Sequence, residues 1–190
     1  KVLLLGLGAG ICTAVGAALL FVKRNWSDRS LAGFLGLASG VMIAVVIFDM
    51  LPSALISGAG SAFAGALVGI AIMGLFNLLI FQHKGNLENT LVGLGYLIML
   101  GIALHDLPEG MAIALGDEMK ARTGMVIALG IGIHNIPEGM AIAAPLIMGG
   151  VKKAKIFVQV LLLGLITPLG TLIGQKAVAI LPGILPGLLG

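Results

Sequence analysis

The stretch GIALHDLPEGMAIALG at residues 101–116 returns as GIGIHNIPEGMAIAAP at residues 130–145, and this repeated stretch decides the fold. At an offset of 29 residues, ten of the sixteen aligned positions are identical. Each copy sets His, then Asp or Asn, Pro, Glu and Gly in the same order inside a long apolar run. The rest of the chain has the composition of a membrane scaffold for these two copies.

The composition excludes an ordinary soluble domain. Hydrophobic residues make up 59% of the chain and charged residues 10%, with a mean hydropathy of +1.16, whereas soluble domains carry about 25% charged residues. Several apolar runs reach roughly 20 residues, the length that crosses a hydrocarbon core of about 30 Å. The predicted fold is all-α, a polytopic transmembrane helix bundle with six full spans and the start of a seventh.

The positions of the spans follow from the apolar runs. They are predicted at residues 2–22, 31–51, 61–81, 90–115, 124–148 and 156–174. We expect an uncharged connection at 52–60 and a charged turn at 116–123. The final residues, LPGLLG at 185–190, are similar to LAGFLG at 31–36, where the second span begins. The prediction is one transmembrane domain over 1–190, truncated at its C-terminus; a chance match of leucine-rich residues is the alternative.

Lysine and arginine predict the orientation. Their formal excess of +3 does not indicate nucleic acid as a partner, because all eleven lie outside the apolar runs. Seven lie in the loops after the first, third and fifth spans and four lie on the opposite side. Since basic loops stay in the cytoplasm, the chain is predicted to be a multi-pass protein of the plasma (inner) membrane with its N-terminus outside.

Ionisable residues inside the apolar runs point to a bound cation. Four of the eight carboxylates, at Asp49, Asp106, Glu109 and Glu138, lie in these runs with two of the three histidines. Each charged group at that depth costs at least about 2.5–3.5 kcal/mol, so such residues mark ion or substrate pathways. The same runs contain no Lys or Arg to pair with the acids, so a metal ion or protons are required.

Helical spacing places the strongest ligands together. His105 and Glu109 are four residues apart and project from one face of a helix, as do His134 and Glu138. A short connection makes the two helices antiparallel neighbours. If those faces meet, two imidazoles and two carboxylates surround one point, a set that suits zinc and other first-row divalent cations.

Four further residues have more than one interpretation. Asp106 and Asn135 each follow a histidine by one residue, about 100° around the helix from the His/Glu face. They are either additional metal ligands or partners that orient the imidazoles. Asp49, near the outer end of the second span, is a solvated acid or a cation-entry residue. Met42 is an apolar packing residue or a soft thioether ligand.

At HDLPEG (105–110) and HNIPEG (134–139) the sequence resembles the ZIP (Zrt/Irt-like protein) family of divalent metal transporters, and the resemblance covers essentially the whole chain in helix order. The resemblance implies an eight-helix fold that holds metal between its fourth and fifth helices, and it agrees with the orientation above. It also implies transport-site ligands at His105, Asp106, Glu109, His134, Asn135 and Glu138, with Met42 beside them and Asp49 at the entrance.

Three features depart from the family pattern. Asp106 stands where the family usually has Asn, which adds a negative charge to the site. Thr167–Pro168 replaces the Glu-Pro pair of relatives with two metals, which argues against a second, fully liganded metal. His83 is the only histidine of its loop, so a histidine-rich regulatory loop is absent.

The predicted function is import of zinc, or of a related divalent cation such as Fe²⁺, Mn²⁺ or Cd²⁺, into the cytoplasm. The predicted partners are the metal ion and the lipid bilayer, with a homodimer left open. The alternative is an intramembrane metal-dependent hydrolase with Glu as general base; the HExxH motif of zinc hydrolases is absent, and we predict no enzyme. A non-transporting metal sensor or a passive channel is the third hypothesis.

Overall fold

The computed structural model describes residues 1–22, 26–80 and 87–180. Across these residues the chain forms α1 (Val2–Phe21), α2 (Asp28–Val45), α3 (Leu51–Ile80), α4 (Leu87–Met119), α5 (Ala121–Met148), α6 (Lys153–Leu163) and α7 (Ile166–Ile180). Six helical spans in this part of the chain are long and apolar enough to cross a membrane: Val2–Phe21, Arg29–Phe48, Gly58–Leu79, Asn89–Met119, Ala121–Met148 and Lys153–Ile180. The predicted all-α bundle with six spans is confirmed. The predicted start of a seventh membrane span, at residues 185–190, lies outside the described residues.

The connection predicted at 52–60 is wrong, because this segment is helical. A π-helical turn, Val46–Met50, leads directly from α2 into α3. The wider turn accommodates the ring of Pro52, which in a regular α-helix clashes with the carbonyl four residues earlier. Within α3 the backbone departs from helical geometry at Gly58. Its φ of 152° is accessible to glycine and strained for other residues.

The charged turn predicted at 116–123 is also wrong, because it shrinks to one residue. α4 continues to Met119, α5 begins at Ala121, and Lys120 alone has an extended backbone, with φ −157° and ψ 134°. The polar residues here favour helix about as well as many apolar ones. Their charges therefore mark the membrane surface and do not end the helix.

The predicted sixth span is interrupted. α6 ends at Leu163 and α7 begins at Ile166, with a turn at Gly164. Pro168 explains the position of this break, since a proline cannot bond the carbonyl four residues back, which here belongs to Gly164. α4 and α5, in contrast, run without interruption through Pro108 and Pro137.

Helices α1, α4, α5 and α7 form the tightly packed part of the bundle. A Cβ atom at Gly139 of α5 would overlap the carbonyl oxygen of Thr13 on α1, and one at Gly110 of α4 would overlap that of Thr167 on α7. Small residues allow such close backbone contact between membrane helices. α3, by contrast, has no fully buried residue over its hydrophobic span, so most of its side chains are available to lipid or to other helices.

Candidate metal site

The hairpin of α4 and α5 brings the histidines and glutamates of the two motifs together. Oε1 of Glu109 lies 2.8 Å from Nε2 of His105 and 2.8 Å from Nε2 of His134. Oε1 of Glu138 lies 3.9 Å from Nε2 of His105. The two imidazole rings have their centroids 6.1 Å apart. Glu109 therefore contacts both histidines, and Glu138 of the facing helix approaches His105.

Several polar atoms of this cluster have no hydrogen-bond partner within the described part of the chain. They are Oε2 of Glu109, Oε2 of Glu138 and Nε2 of His134, all buried. Although Nε2 of His134 is 2.8 Å from Oε1 of Glu109, the two atoms are not aligned as donor and acceptor. Buried polar groups without partners are rare in folded proteins, and these three belong to side chains that meet between α4 and α5.

Three of the side chains can hold a metal ion after a small movement. The ligand atoms of His105, His134 and Glu138 lie within 4.8 Å of one another. Donor atoms around tetrahedral zinc are roughly 3.4 Å apart, so side-chain rotation has to bring them closer. The described part of the cluster contains carboxylates and imidazoles but no lysine or arginine, and a divalent cation would balance its negative charge.

Asp106 and Asn135 are not among these three converging residues. Both are fully buried at 0% exposure and line neither of the two cavities that flank the histidines. Nδ2 of Asn135 donates a hydrogen bond of 3.0 Å to the carbonyl oxygen of Ala9 on α1. The carboxylate oxygens of Asp106 and Oδ1 of Asn135 have no hydrogen-bond partner among the described residues. Asn135 is thus hydrogen-bonded to α1. This arrangement suits a residue that positions neighbouring side chains.

Met42 shares a cavity with residues of the cluster. Met42 lines a cavity of about 650 Å³ together with His105, His134 and Glu138. Asp49 belongs to the π-helical turn, but its side chain lies outside the described part of the chain. His83 lies outside the described residues as well.

Sequence reasoning missed three contributors to this region. Met50 and Met73 line the same cavity as Met42, and the Ala9 carbonyl accepts the bond from Asn135. Met50 follows Met42 by eight residues, about two helical turns, and that spacing was the available signal. Nothing in the sequence singles out Met73, because its position depends on how α3 packs.

The chain is similar in sequence to known zinc transporters. A family model described as ZIP Zinc transporter matches residues 82–179. Zinc transporter ZupT of Escherichia fergusonii is 32% identical over 135 residues, covering 65% of this chain and 52% of that protein. Zinc transporter ZupT of Enterobacter sp. (strain 638) is 34% identical over 126 residues, covering 58% and 48%. Zinc transporter ZupT of Salmonella paratyphi A is 34% identical over 122 residues, again covering 58% and 48%. The chain spans about half the length of the curated relatives it matches.

Proposed function

Since this chain belongs to the ZIP zinc transporter family, we propose that the protein carries zinc, or a related divalent cation, across the membrane into the cytoplasm. The observation that carries this proposal is the meeting of both motif copies at Glu109, whose one oxygen contacts the imidazoles of His105 and His134. The family consists of transporters, which sets aside the alternative of an intramembrane hydrolase. The relatives are named as zinc transporters, which makes zinc the first substrate to test.

The cavities around the histidine pair support a path through the membrane. The cavity of about 650 Å³ extends from His105 toward Leu97, in the direction of the start of α4. A second cavity, of about 440 Å³, extends from the same histidines toward Ala112 and Ile127, in the direction of the α4–α5 connection. Both cavities reach His105 and His134, so an ion bound there has an approach from each side.

The ligands suit loading and release. Imidazole nitrogens and carboxylate oxygens replace water around the ion and neutralise its charge, which lowers the cost of bringing it to membrane depth. These ligands exchange more readily than a closed set of thiolates, the arrangement of structural zinc sites. Entry past Asp49, ligation at the cluster and release toward the cytoplasm form the proposed sequence, with Fe²⁺, Mn²⁺ and Cd²⁺ as further candidate cargoes.

The proposed orientation puts the N-terminus outside in the plasma (inner) membrane, from the excess of lysine and arginine in alternate loops. Labelling of Lys120→Cys in a Cys12→Ser background with a membrane-impermeant reagent tests it, because Lys120 is then external and accessible in intact cells. Light scattering of the purified protein tests the homodimer.

Zinc uptake into proteoliposomes that contain the full-length protein tests the function. We expect saturable uptake that is lost in the His105→Ala/Glu138→Ala double variant. Glu118→Ala is the matched control, since Glu118 is an exposed carboxylate at the end of α4. Uptake unchanged by the double variant refutes the mechanism. Uptake that rises linearly with zinc concentration favours a channel, and zinc binding without uptake favours a sensor.

A further inference from the structure

Three of the chain's nine methionines meet at one cavity. They come from α2, the π-helical turn and α3; α2 packs on α5, and α3 packs on α4. The sulfur-bearing and polar residues that line this cavity of about 650 Å³ are Met42, Met50, Met73, His105, His134 and Glu138. The other lining residues among those described are aliphatic or glycine. We call the part of the lining that these three thioethers provide the methionine wall.

Met73 lies directly against the helix that carries His105. A Cβ atom built on Gly101 would lie 3.4 Å from Cε and 4.0 Å from Sδ of Met73. Gly101 precedes His105 by four residues, so both positions are on one face of α4, one turn apart. Met73 is also partly buried although most of its helix is exposed. Its thioether therefore lies at the cavity lining about one helical turn from His105.

Met50 occupies the junction of the two cavities. It lines both the cavity of about 650 Å³ and the one of about 440 Å³. The other residues shared by the two cavities are Val45, His105 and His134. An ion that passes between the cavities at the histidines therefore passes the Met50 side chain.

We propose that Met50 and Met73, with Met42, bind a soft monovalent cation of the Ag(I) and Cu(I) class beside the His105 imidazole. Thioether sulfur and imidazole nitrogen are ligands that soft cations accept. A hard cation would gain little here, since the methionine wall has no oxygen ligand among its described residues to replace lost water. The inference rests on the proposed function, because it assigns a second class of ion to the same site.

Packing alone is the competing explanation for these methionines, because methionine often fills irregular gaps. A Met→Leu substitution distinguishes metal ligation from packing, because it nearly conserves the side-chain volume and removes the sulfur. We therefore compare Met50→Leu/Met73→Leu with Met99→Leu. Met99 is a partly buried methionine of α4 that packs on the hydrophobic core and lies outside the lining of this cavity.

The test is Ag(I) binding to the purified full-length protein, in a Cys12→Ser background that removes the thiol. Serine keeps a donor for the bond from Cys12 to the Gly8 carbonyl. We expect the affinity for Ag(I) to fall at least tenfold in the double variant and to stay unchanged in Met99→Leu. Zinc affinity should change less than twofold in both. X-ray absorption should detect fewer sulfur atoms bound to Ag(I) in the double variant, which keeps Met42, than in the Cys12→Ser parent and in the Met99→Leu variant.

Unchanged Ag(I) affinity in the double variant overturns the inference. Equal losses of Ag(I) and zinc affinity overturn it too, because the methionines would then act as packing for the whole site. The result is separable from the proposed function. Sulfur-ligated Ag(I) in a protein that takes up no zinc supports this inference and refutes the proposed zinc transport. Zinc uptake by a protein in which Ag(I) has no thioether ligand refutes this inference and supports zinc transport.

Discussion

The substitution Glu109→Gln tests the central feature of the site. One oxygen of Glu109 lies 2.8 Å from both imidazole nitrogens, and its second oxygen is buried without a hydrogen-bond partner. Glutamine keeps the size and shape of the side chain and removes its negative charge. The change therefore isolates the electrostatic contribution of this carboxylate to metal binding from its contribution to packing.

The expected loss follows from Coulomb's law. Both imidazole nitrogens contact Glu109, so an ion held by them lies within about 4 Å of the carboxylate. Opposite unit charges about 4 Å apart attract by about 4 kcal/mol at an effective dielectric constant of about 20. The zinc ion carries two charges, but the cost of dehydrating it and the carboxylate offsets much of the attraction. We therefore expect Glu109→Gln to lose about 3 kcal/mol of zinc-binding free energy. Since about 1.4 kcal/mol is tenfold in affinity, zinc should bind about 100-fold more weakly.

Competition of the purified protein with a fluorescent chelator measures the zinc dissociation constant. Glu118→Gln is the control, because it removes an exposed carboxylate from the end of the same helix and should alter the constant less than twofold. Circular dichroism should be the same for both variants. A change of less than threefold in Glu109→Gln, with the fold intact, refutes the assignment of Glu109 to the metal site.

Three further predictions concern stability. Gly139→Ala should lower the unfolding free energy by about 1–3 kcal/mol, because its Cβ would overlap backbone atoms of Thr13. Gly130→Ala, with nothing within 4 Å, should be neutral or stabilising by up to about 1 kcal/mol. Melting in detergent measures both, and equal melting temperatures argue against the close α1–α5 contact. Asn135→Ala should cost about 0.5–1.5 kcal/mol, since it removes the hydrogen bond from Nδ2 to the Ala9 carbonyl while that carbonyl keeps its bond within α1; a chemical denaturation curve identical to that of the parent contradicts this. Zinc at 100 times its dissociation constant should stabilise the protein by about 2.7 kcal/mol, and a chelator should reverse the shift in melting temperature; no shift in the parent means that the cluster does not bind zinc.

The meeting of the two motifs was predictable because it depends on local rules. Four-residue spacing puts His105 with Glu109 and His134 with Glu138 on single helix faces, and a short connection forces the two helices to be neighbours. The structure has both features. No geometry beyond the sequence itself was needed to infer that these residues approach one another.

Other features depend on packing between distant segments and had no local signal. The carbonyl of Ala9 reaches Asn135 only because glycines let α1 approach α5 closely. Met73 reaches the site only through the contact of α3 with Gly101. The error at 52–60 has a different origin. Proline interrupts a regular α-helix, whereas here a π-helical turn precedes Pro52 and the helix continues through it.

The single extended residue at Lys120 has a consequence for biosynthesis. The span Asn89–Met119 includes Asp106 and Glu109, and about 2.5–3.5 kcal/mol for each charged group at mid-depth opposes its partition into lipid from the translocon. With one residue between the helices, α5 emerges from the ribosome at once and supplies His134 to the carboxylates. The two helices should therefore leave the translocon as a pair, and lengthening the link between them should increase the fraction of chains in which the first helix fails to insert.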